Sequence, residues 1–202
     1  YSFIKYRKRW WTRSTTFRLS FIWWGNSRKN GCLKMLKVRR YFLELKKKDY
    51  TKKFFAPTNN LLIEKDKQKD FNINKFFYKE IGKDHYWRDR LIWSDKEWSK
   101  YISNKNLETW TMKINDELTG FYEKEFHPMQ NEVELINMGI LKAYRKSRLG
   151  SVMLEHFIFN SFKIDPNRLW VHTCSLDHKY ALHNYKSQGF KIFKEEEIDY
   201  VA

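Results

Sequence analysis

The feature of this sequence that most limits its possible folds is a set of three consecutive segments in which apolar and polar residues alternate. In the first segment Trp110, Met112 and Ile114 occupy every second position. Two short turn sequences, Asn115–Glu117 and His127–Asn131, separate the three segments. Alternation with a period of two is typical of strands with one buried face, and turns this short join antiparallel neighbours. The sequence therefore predicts a three-stranded antiparallel meander.

Helical periodicity precedes and follows this meander. Residues 71–103 carry apolar side chains at spacings near three and four, which predicts two helices. Ser94 and Glu97 have the capping-box spacing at the start of the second helix. The meander is followed by a helix, a strand, a second helix over Asp177–Gln188 that is ended by Gly189, and a last strand. With a short first strand at Leu61–Ile63, this order predicts a mixed α/β fold.

The composition limits the class of protein. The chain has 202 residues, of which 18% are aromatic, so it is long enough for one domain and too aromatic for wholesale disorder. No apolar run approaches the roughly 18 residues of a membrane-spanning helix. The two cysteines, Cys32 and Cys174, provide no disulfide framework and suit a reducing compartment. We therefore expect a cytoplasmic protein with no membrane partner.

The net charge of +16 is distributed unevenly along the chain. Residues 1–34 contain nine Lys and Arg, no acidic residue and four of the nine tryptophans, whereas residues 121–202 are neutral. A basic, aromatic arm of this kind binds nucleic acid through phosphate contacts and stacking, or lies on a membrane surface. A third interpretation is upstream sequence that is not translated in the native protein, with Met35 as the start. All three interpretations remain open at this point.

These patterns divide the chain into three parts. Residues 1–34 are a basic aromatic extension, residues 35–60 a lead-in segment, and residues 61–202 the domain that carries the function. The boundary rests on the charge run Lys46–Lys53 and on the loop signal Pro57–Asn60.

A basic loop, Tyr144–Ser151, joins the meander to the helix that follows it. The first N–H groups of a helix have no partner within the helix, and the helix dipole favours negative charge there. The loop adds the cationic side chains of Arg145, Lys146 and Arg148, while Gly150 allows a close approach to the backbone. The loop therefore predicts a site for a phosphate or diphosphate.

Two motifs in this sequence resemble those of the GNAT N-acetyltransferases. The segment Ile140–Ser151 resembles the acetyl-CoA motif, in which Arg or Gln is followed by x-x-Gly-x-Gly or Ala. Ala181, Tyr185 and Gly189–Phe190 resemble the family's last helix and the strand entry after it. The segment Leu169–His178 looks like one bacterial branch of the family.

The resemblance implies both the fold and the reaction. The fold would be the α/β GNAT acyl-CoA N-acyltransferase fold, a mixed central sheet with flanking helices. The reaction would transfer an acetyl group from acetyl-CoA to a primary amine of a small molecule or protein, by direct attack in a ternary complex, in a monomer or homodimer. Two residues depart from the family pattern: Arg148 replaces the first Gly, where a left-handed backbone costs more, and His178 replaces an Asn. These departures keep open a GNAT fold that binds CoA without catalysis.

The resemblance also implies roles for residues at matching positions. Tyr185 would be the general acid that protonates the CoA thiolate, and Glu134 the general base. The Met138 N–H would donate to the oxyanion. The residues that would contact the coenzyme are Met138, Gly139, Ile140, Arg145, Lys146, Ser147, Arg148, Leu149, Gly150, Ser151 and His178.

The acceptor pocket is expected on the side of the strands opposite the coenzyme, with walls from the early helices. His85, Tyr86 and Arg88 are the candidate substrate contacts. Core packing is the alternative role for rings in this region, and we prefer it for Trp93 and Trp98.

Three further residues could be mistaken for a metal site. His172, Cys174 and His178 lack the spacing of known zinc motifs, so we expect no metal. A basic nucleic-acid-binding protein that uses residues 1–34 remains the alternative to an enzyme. Nucleic acid is not an expected partner of the enzyme itself.

Overall fold

The described part of the chain is built around one mixed β-sheet of seven strands. The computed structural model describes residues 35–50 and 60–201. The strands are β1 (Met35–Lys46), β2 (Leu61–Lys65), β3 (Leu107–Ile114), β4 (Glu117–His127), β5 (Glu132–Ile140), β6 (Arg168–Cys174) and β7 (Lys191–Val201). They are hydrogen-bonded in the order β2-β3-β4-β5-β6-β1-β7. Only β5 and β6 run parallel, and all other neighbours are antiparallel.

The described residues form four α-helices, and local signals explain two of their boundaries. The second begins with the expected capping box, because Ser94 and Glu97 each bond to the backbone of the other. The fourth is followed by Gly189, whose φ of +94° is the left-handed conformation that ends many helices. The helices are α1 (Phe71–Gly82), α2 (Asp95–Ile102), α3 (Leu149–Phe162) and α4 (Ala181–Ser187).

The helices lie on opposite faces of the sheet. Met153 of α3 and Tyr185 of α4 pack in the same core cluster as Tyr122 of β4. Phe77 of α1 stacks on the neighbouring strand residue Phe121, with ring centroids 4.8 Å apart. Because successive side chains of a strand point to opposite faces, α3 and α4 cover one face and α1 covers the other.

The predicted meander is confirmed as β3, β4 and β5. The turn between the first two strands contains Asn115 and Asp116, both with positive φ. Two consecutive left-handed residues are what tight hairpin turns require, and Asn and Asp tolerate them best after Gly. The turn residues and the alternation of apolar residues therefore both favour a hairpin of β3 and β4.

The position of β1 differs from the sequence prediction. Residues 35–46 were assigned to a lead-in, yet β1 lies within the sheet between β6 and β7. All described elements fall in one compact unit, Leu33–Ala202. The strand pattern of β1 was not recognised in the sequence because Arg40 occupies a buried position. Arg40 is only 2% exposed and bonds to Glu196 at 2.8 Å. An arginine at a core-facing position breaks the apolar alternation that marks a strand.

The last helix is also shorter than predicted. Its expected start was Asp177, but α4 begins at Ala181. The Asp177 carboxylate accepts hydrogen bonds from Thr173 Oγ1 at 2.7 Å and from the Cys174 N–H at 3.1 Å. These bonds hold the chain in a turn after β6, since a side chain that captures nearby backbone groups competes with a helix.

Two expectations fall on residues outside this description. The basic extension 1–34 and most of the loop before β2 lie outside the described residues, so their interpretation is unchanged. Among the described residues, no helix is both long enough and apolar enough to cross a bilayer.

A polar network lies on the α3 face of the sheet. The Tyr122 hydroxyl and His156 Nδ1 are 3.1 Å apart, and Lys124 Nζ donates to Asn160 Oδ1 at 2.6 Å. Burial, together with the nearby charges of Lys124 and Lys163, lowers the pKa of His156 to about 4. The ring is therefore neutral in the folded protein at neutral pH.

This network predicts a loss of stability as the pH falls from about 6.5 to about 4. The unfolded state binds the His156 proton with a pKa near 6.5, more tightly than the folded state, so acid favours unfolding across that window. The loss should be roughly 1 to 2 kcal/mol, because the partly exposed ring is screened by solvent. Urea unfolding of the wild type and of His156→Gln near pH 7 and near pH 4.5 measures it. Equal losses in the two proteins would contradict the assignment.

Candidate active site

The parallel strands β5 and β6 separate over part of their length. They are paired from Glu132 opposite Arg168 to Leu135 opposite Val171. Beyond that pair β5 continues for five residues to Ile140, and β6 for three more, without pairing to each other. A crevice therefore opens between the two strands at their carboxyl ends.

A β-bulge in β5 lies at the start of this crevice. Asn137 is opposite Glu123 of β4, but Leu135 is opposite Lys124, so Ile136 is an extra residue in β5. A bulge of this kind bends its strand and increases the local twist. It accounts for the point at which β5 turns away from β6.

The backbone of β5 presents polar groups to the crevice. The Leu141 N–H donates to Thr119 O of β4 at 2.8 Å. Because N–H directions alternate along a strand, the N–H groups of Met138 and Ile140 point to the opposite side, toward β6. The Ile140 carbonyl also points there, since it accepts a hydrogen bond from Arg145 Nε at 3.1 Å.

The basic turn at the start of α3 has an unusual backbone. Lys146 and Arg148 have φ values of +73° and +59°, in the left-handed region. The N–H groups of Ser151 and Val152 donate to Arg148 O at 3.0 and 3.2 Å, which starts the helix. The preceding amides are at a helix N-terminus, where they have no acceptor within the helix. The left-handed conformation considered for Arg148 from sequence is therefore present.

This backbone predicts an unusual order of stability for two variants of Arg148. Arg148→Gly and Arg148→Ala both lack the guanidinium, but only alanine keeps a Cβ in the left-handed region. We expect the glycine variant to be more stable by about 1 kcal/mol, since the left-handed conformation costs an L-residue roughly that much. Chemical denaturation of the two variants measures the difference. Elsewhere alanine is the more stabilising residue, so a more stable alanine variant would contradict the left-handed assignment.

Arg145 spans the outer end of the crevice. Besides its bond to Ile140 O, it forms an ion pair through Nη1 with Asp84 at 3.2 Å. Its Nη2 atom is buried and has no hydrogen-bond partner among the residues that the structure describes. A buried guanidinium nitrogen of this kind suits an anionic or carbonyl oxygen of a ligand.

Tyr185 of α4 is buried, with 7% of its surface exposed, and packs against Phe190 at 6.0 Å between ring centroids. Burial, together with the charge of Asp177, raises the pKa of its phenol. The phenol therefore keeps its proton at neutral pH. Met138 packs against the same core cluster.

Glu134 lies in the paired part of β5, before the crevice. Its neighbour Leu135 packs on the α3 face, so Glu134 faces the α1 side of the sheet. It is 6% exposed, and His127 Nε2 lies 3.1 Å from its Oε2. Within the described ranges, Glu125, His127 and Glu134 place their ligand atoms within 4.8 Å of one another.

The loop after α1 brings one predicted substrate contact to the crevice. The rings of His85 and His178 are 5.9 Å apart. Burial lowers the pKa of His178, and the nearby His85, Arg145 and Lys179 lower it further. His178, predicted from the coenzyme motif, and His85, predicted from the acceptor side, therefore meet at one place.

The other two predicted substrate contacts lie farther out on this loop. Tyr86 has a φ of +59°, and its carbonyl accepts a hydrogen bond from the Tyr200 hydroxyl of β7 at 3.2 Å. Arg88 lies over the Tyr86 ring at 4.9 Å from its centroid. Trp98 is buried and its ring contacts Trp93, which fits the packing role expected for both.

A buried ion pair that the sequence analysis missed supports this loop. Glu123 of β4 is fully buried and pairs with Arg90 at 3.2 Å. The Glu123 carboxylate also accepts hydrogen bonds from Asn74, Tyr101 and Asn137 at 2.6 to 2.7 Å. Asn137 follows the bulge, so the pair joins the loop to the crevice. A charged residue within an alternating strand gave no signal of this role.

A second connection missed from sequence joins the loop to the turn after β6. Trp87 Nε1 lies 3.4 Å from Asp177 Oδ1, a long hydrogen bond. Gly82 makes room for this ring, because a Cβ there would lie 2.5 Å from Trp87 Cβ. The crevice is therefore bordered on the α1 side by an anchored aromatic side chain.

Sequence comparison identifies the class of this chain. A model of the Acetyltransferase (GNAT) family matches residues 72–190, more than half of the chain. The chain belongs to the Acetyltransferase (GNAT) family, as the two motifs predicted. No curated protein sequence matches it in a separate comparison.

Solved structures of acetyltransferases have the same fold. A GCN5-related N-acetyltransferase from Sphaerobacter thermophilus aligns with 80% of this chain and 50% of its own, at a TM-score of 0.62 and 7% identity. The ribosomal-protein-S18-alanine N-acetyltransferase from Escherichia coli aligns with 65% of this chain and 77% of its own length, at a TM-score of 0.52 and 19% identity. The aminoglycoside acetyltransferase meta-AAC0020 from an uncultured soil metagenomic sample aligns with 65% of this chain and 88% of its own length. The TM-score is 0.55 and the identity 12%.

Some matched structures are considerably longer than the region they share with this chain. The chain covers 61% of a functionally unknown conserved protein from Staphylococcus epidermidis ATCC 12228. At these identities the likeness shows the GNAT fold alone.

Proposed function

We propose that this protein transfers an acetyl group from acetyl-CoA to a primary amine, by direct attack in a ternary complex. The observation that carries the proposal is the separation of β5 and β6 after Leu135 and Val171, next to a basic turn at a helix N-terminus. One end of the crevice suits a diphosphate, and its β5 edge suits an extended amide chain. Acetyl-CoA combines these two features.

The residues present fit this co-substrate. The amides at the start of α3, with Lys146, Ser147 and Arg148, would hold the diphosphate. Gly139 and Ile140 would lie along the pantetheine arm. The buried Nη2 of Arg145, which has no partner in the described part of the chain, supports a ligand oxygen nearby. Leu149, Gly150, Ser151 and His178 complete the proposed contacts.

Three groups of the protein would act on the reaction. Acetyl-CoA supplies an acetyl group activated as a thioester. The Met138 N–H would donate to the carbonyl oxygen as negative charge develops, a contribution of about 3 kcal/mol for one oriented donor. The Glu134 carboxylate would remove a proton from the ammonium form of the amine, through water. The Tyr185 phenol would give its proton to the departing thiolate.

The acceptor would enter from the α1 side, opposite α3. His85 is the proposed substrate contact nearest the crevice, with Tyr86 and Arg88 on the outer part of the loop. One similar structure is named for an aminoglycoside and another for a ribosomal protein, so small molecules and proteins are both candidate acceptors. We place the protein in the cytoplasm, in the bacterial branch with the Leu169–His178 motif, as a monomer or homodimer.

The domain assignment is part of this proposal. Residues 61–202, together with β1, would carry the activity, and residues 1–34 would not be needed for it. Acetyl transfer and acetyl-CoA affinity should therefore be unchanged when residues 1–34 are deleted. Salt-dependent nucleic-acid binding that is lost with that deletion would favour the alternative function.

Release of free thiol from acetyl-CoA tests the proposed reaction. A panel of polyamines, aminoglycosides and peptides with free N-termini should contain acceptors that give amine-dependent release, and mass spectrometry should find products heavier by one acetyl group. Saturable acetyl-CoA binding without release for any acceptor would instead support a GNAT fold that binds CoA without catalysis.

A further inference from the structure

The helix that carries Tyr185 is short and depends on its surroundings. α4 has seven residues, and no side chain caps its N-terminus. An isolated helix of this length is unstable in water, so contacts with the rest of the protein must fix its position. Ala181 and Leu182 pack against the core on the α3 face. Directional hydrogen bonds would restrain its position further.

Asn184 supplies such bonds, and both connect to the start of α3. Asn184 Oδ1 accepts a hydrogen bond from Ser151 Oγ at 2.8 Å. Asn184 Nδ2 donates to Gly150 O at 3.3 Å. Gly150 and Ser151 belong to the turn that is proposed to hold the diphosphate, and Tyr185 directly follows Asn184 in the chain.

We infer that Asn184 is a positioning residue that couples the coenzyme-binding turn to the general acid Tyr185. This inference rests on the proposed function. A diphosphate held at the turn restrains Gly150 and Ser151, and the two hydrogen bonds pass that restraint to α4. Both side-chain groups of Asn184 bond to the start of α3, so its effect on the rate would pass through the phenol.

A second hydrogen bond between α4 and α3 provides a matched control for Asn184→Ala. Gln188 Nε2 donates to Glu155 Oε1 at 2.9 Å and also joins the end of α4 to α3. Glu155 lies six residues after the start of α3, outside the basic turn. Gln188→Ala therefore removes a bond between the same two elements that has no connection to the diphosphate site.

Steady-state kinetics with an acceptor from the panel tests the inference. Asn184→Ala should lower kcat about tenfold or more, because a small misplacement of a reacting group is costly, with a smaller change in the KM for acetyl-CoA. Gln188→Ala should change kcat by less than about twofold. Circular dichroism establishes that both variants fold. Equal kcat values for the two variants would overturn the inference.

A double variant separates positioning from a general loss of structure. If Asn184 acts through the phenol, Asn184→Ala should have little further effect on kcat in a Tyr185→Phe background. An equal loss in both backgrounds would overturn the inference. Should Asn184→Ala not fold, Asn184→Ser replaces it in the same comparison. An inactive wild type contradicts the proposed function. An active wild type in which Asn184→Ala and Tyr185→Phe lower kcat independently contradicts this inference alone.

Discussion

Tyr185→Phe is expected to lower kcat by about two to three orders of magnitude while the KM for acetyl-CoA changes little. The variant removes one hydroxyl from a buried ring and leaves its packing against Phe190 in place. A general acid in the transition state is worth about 10²- to 10⁴-fold in rate. Because burial and Asp177 raise the pKa of this phenol, it stays protonated at neutral pH, as the proposed general acid requires.

The control for this prediction is another Tyr-to-Phe change away from the crevice. Tyr50 stacks on Phe162 at 4.9 Å between ring centroids, at the far end of α3 from the basic turn. Tyr50→Phe should leave kcat within about twofold of the wild type. Full turnover by Tyr185→Phe would remove the general acid from the mechanism. An equal loss of kcat in both variants would indicate a structural effect of removing a tyrosine hydroxyl rather than the loss of a general acid.

The second large effect is expected from Glu123→Gln, which should destabilise the protein by about 3 to 5 kcal/mol. The change leaves the buried Arg90 guanidinium without its countercharge, and breaking a buried pair on one side costs this much. Glu123 also accepts hydrogen bonds from Asn74 of α1 and from Asn137 next to the bulge. The substitution therefore weakens contacts with both of these regions. Chemical denaturation provides the measurement.

Glu64→Gln is the matched control, because Glu64 also lies on a strand and pairs with a cation. The Glu64–Lys113 distance is 2.6 Å, but both side chains are substantially exposed. Exposed pairs contribute about 0 to 1 kcal/mol, so this variant should lose no more than that. Similar losses for the two variants would contradict the importance assigned to burial. A double variant with Arg90→Met should lose less than the sum of the single changes.

Local patterns allowed much of the fold to be predicted. The β3–β5 meander follows from alternation and turn residues, and the start of α2 follows from Ser94 and Glu97. Each of these features is decided by residues close together in the chain. The family motifs extended the prediction to β6, α4 and β7, which agree with the fold and the family match.

Features that depend on distant residues could not be predicted in this way. β1 was missed because Arg40 is buried through its pairing with Glu196, a residue 156 positions away. The crevice depends on where β5 stops pairing with β6, and the extra residue Ile136 has no sequence signal of its own. Arg148 shows the opposite case, since its place in the motif made a left-handed backbone an explicit possibility.

The candidate site was predicted in the same uneven way. Motif positions identified Met138 at the separated part of β5, the basic turn at the start of α3, and Tyr185, which is buried in the core on the α3 face. Asn184, which bonds to Ser151 and Gly150, and Asp177, which bonds to Trp87, have no special spacing in the sequence. These bonds join segments that are far apart in the chain, so only the folded structure reveals them.

Hydrogen–deuterium exchange with and without acetyl-CoA tests the central claim most directly, because it locates the coenzyme on the protein. Bound acetyl-CoA should slow exchange in peptides that cover residues 137–151 and 177–189, and leave β3 unchanged. Saturable binding that protects other segments and leaves residues 137–151 unprotected, or no binding at all, would contradict the account.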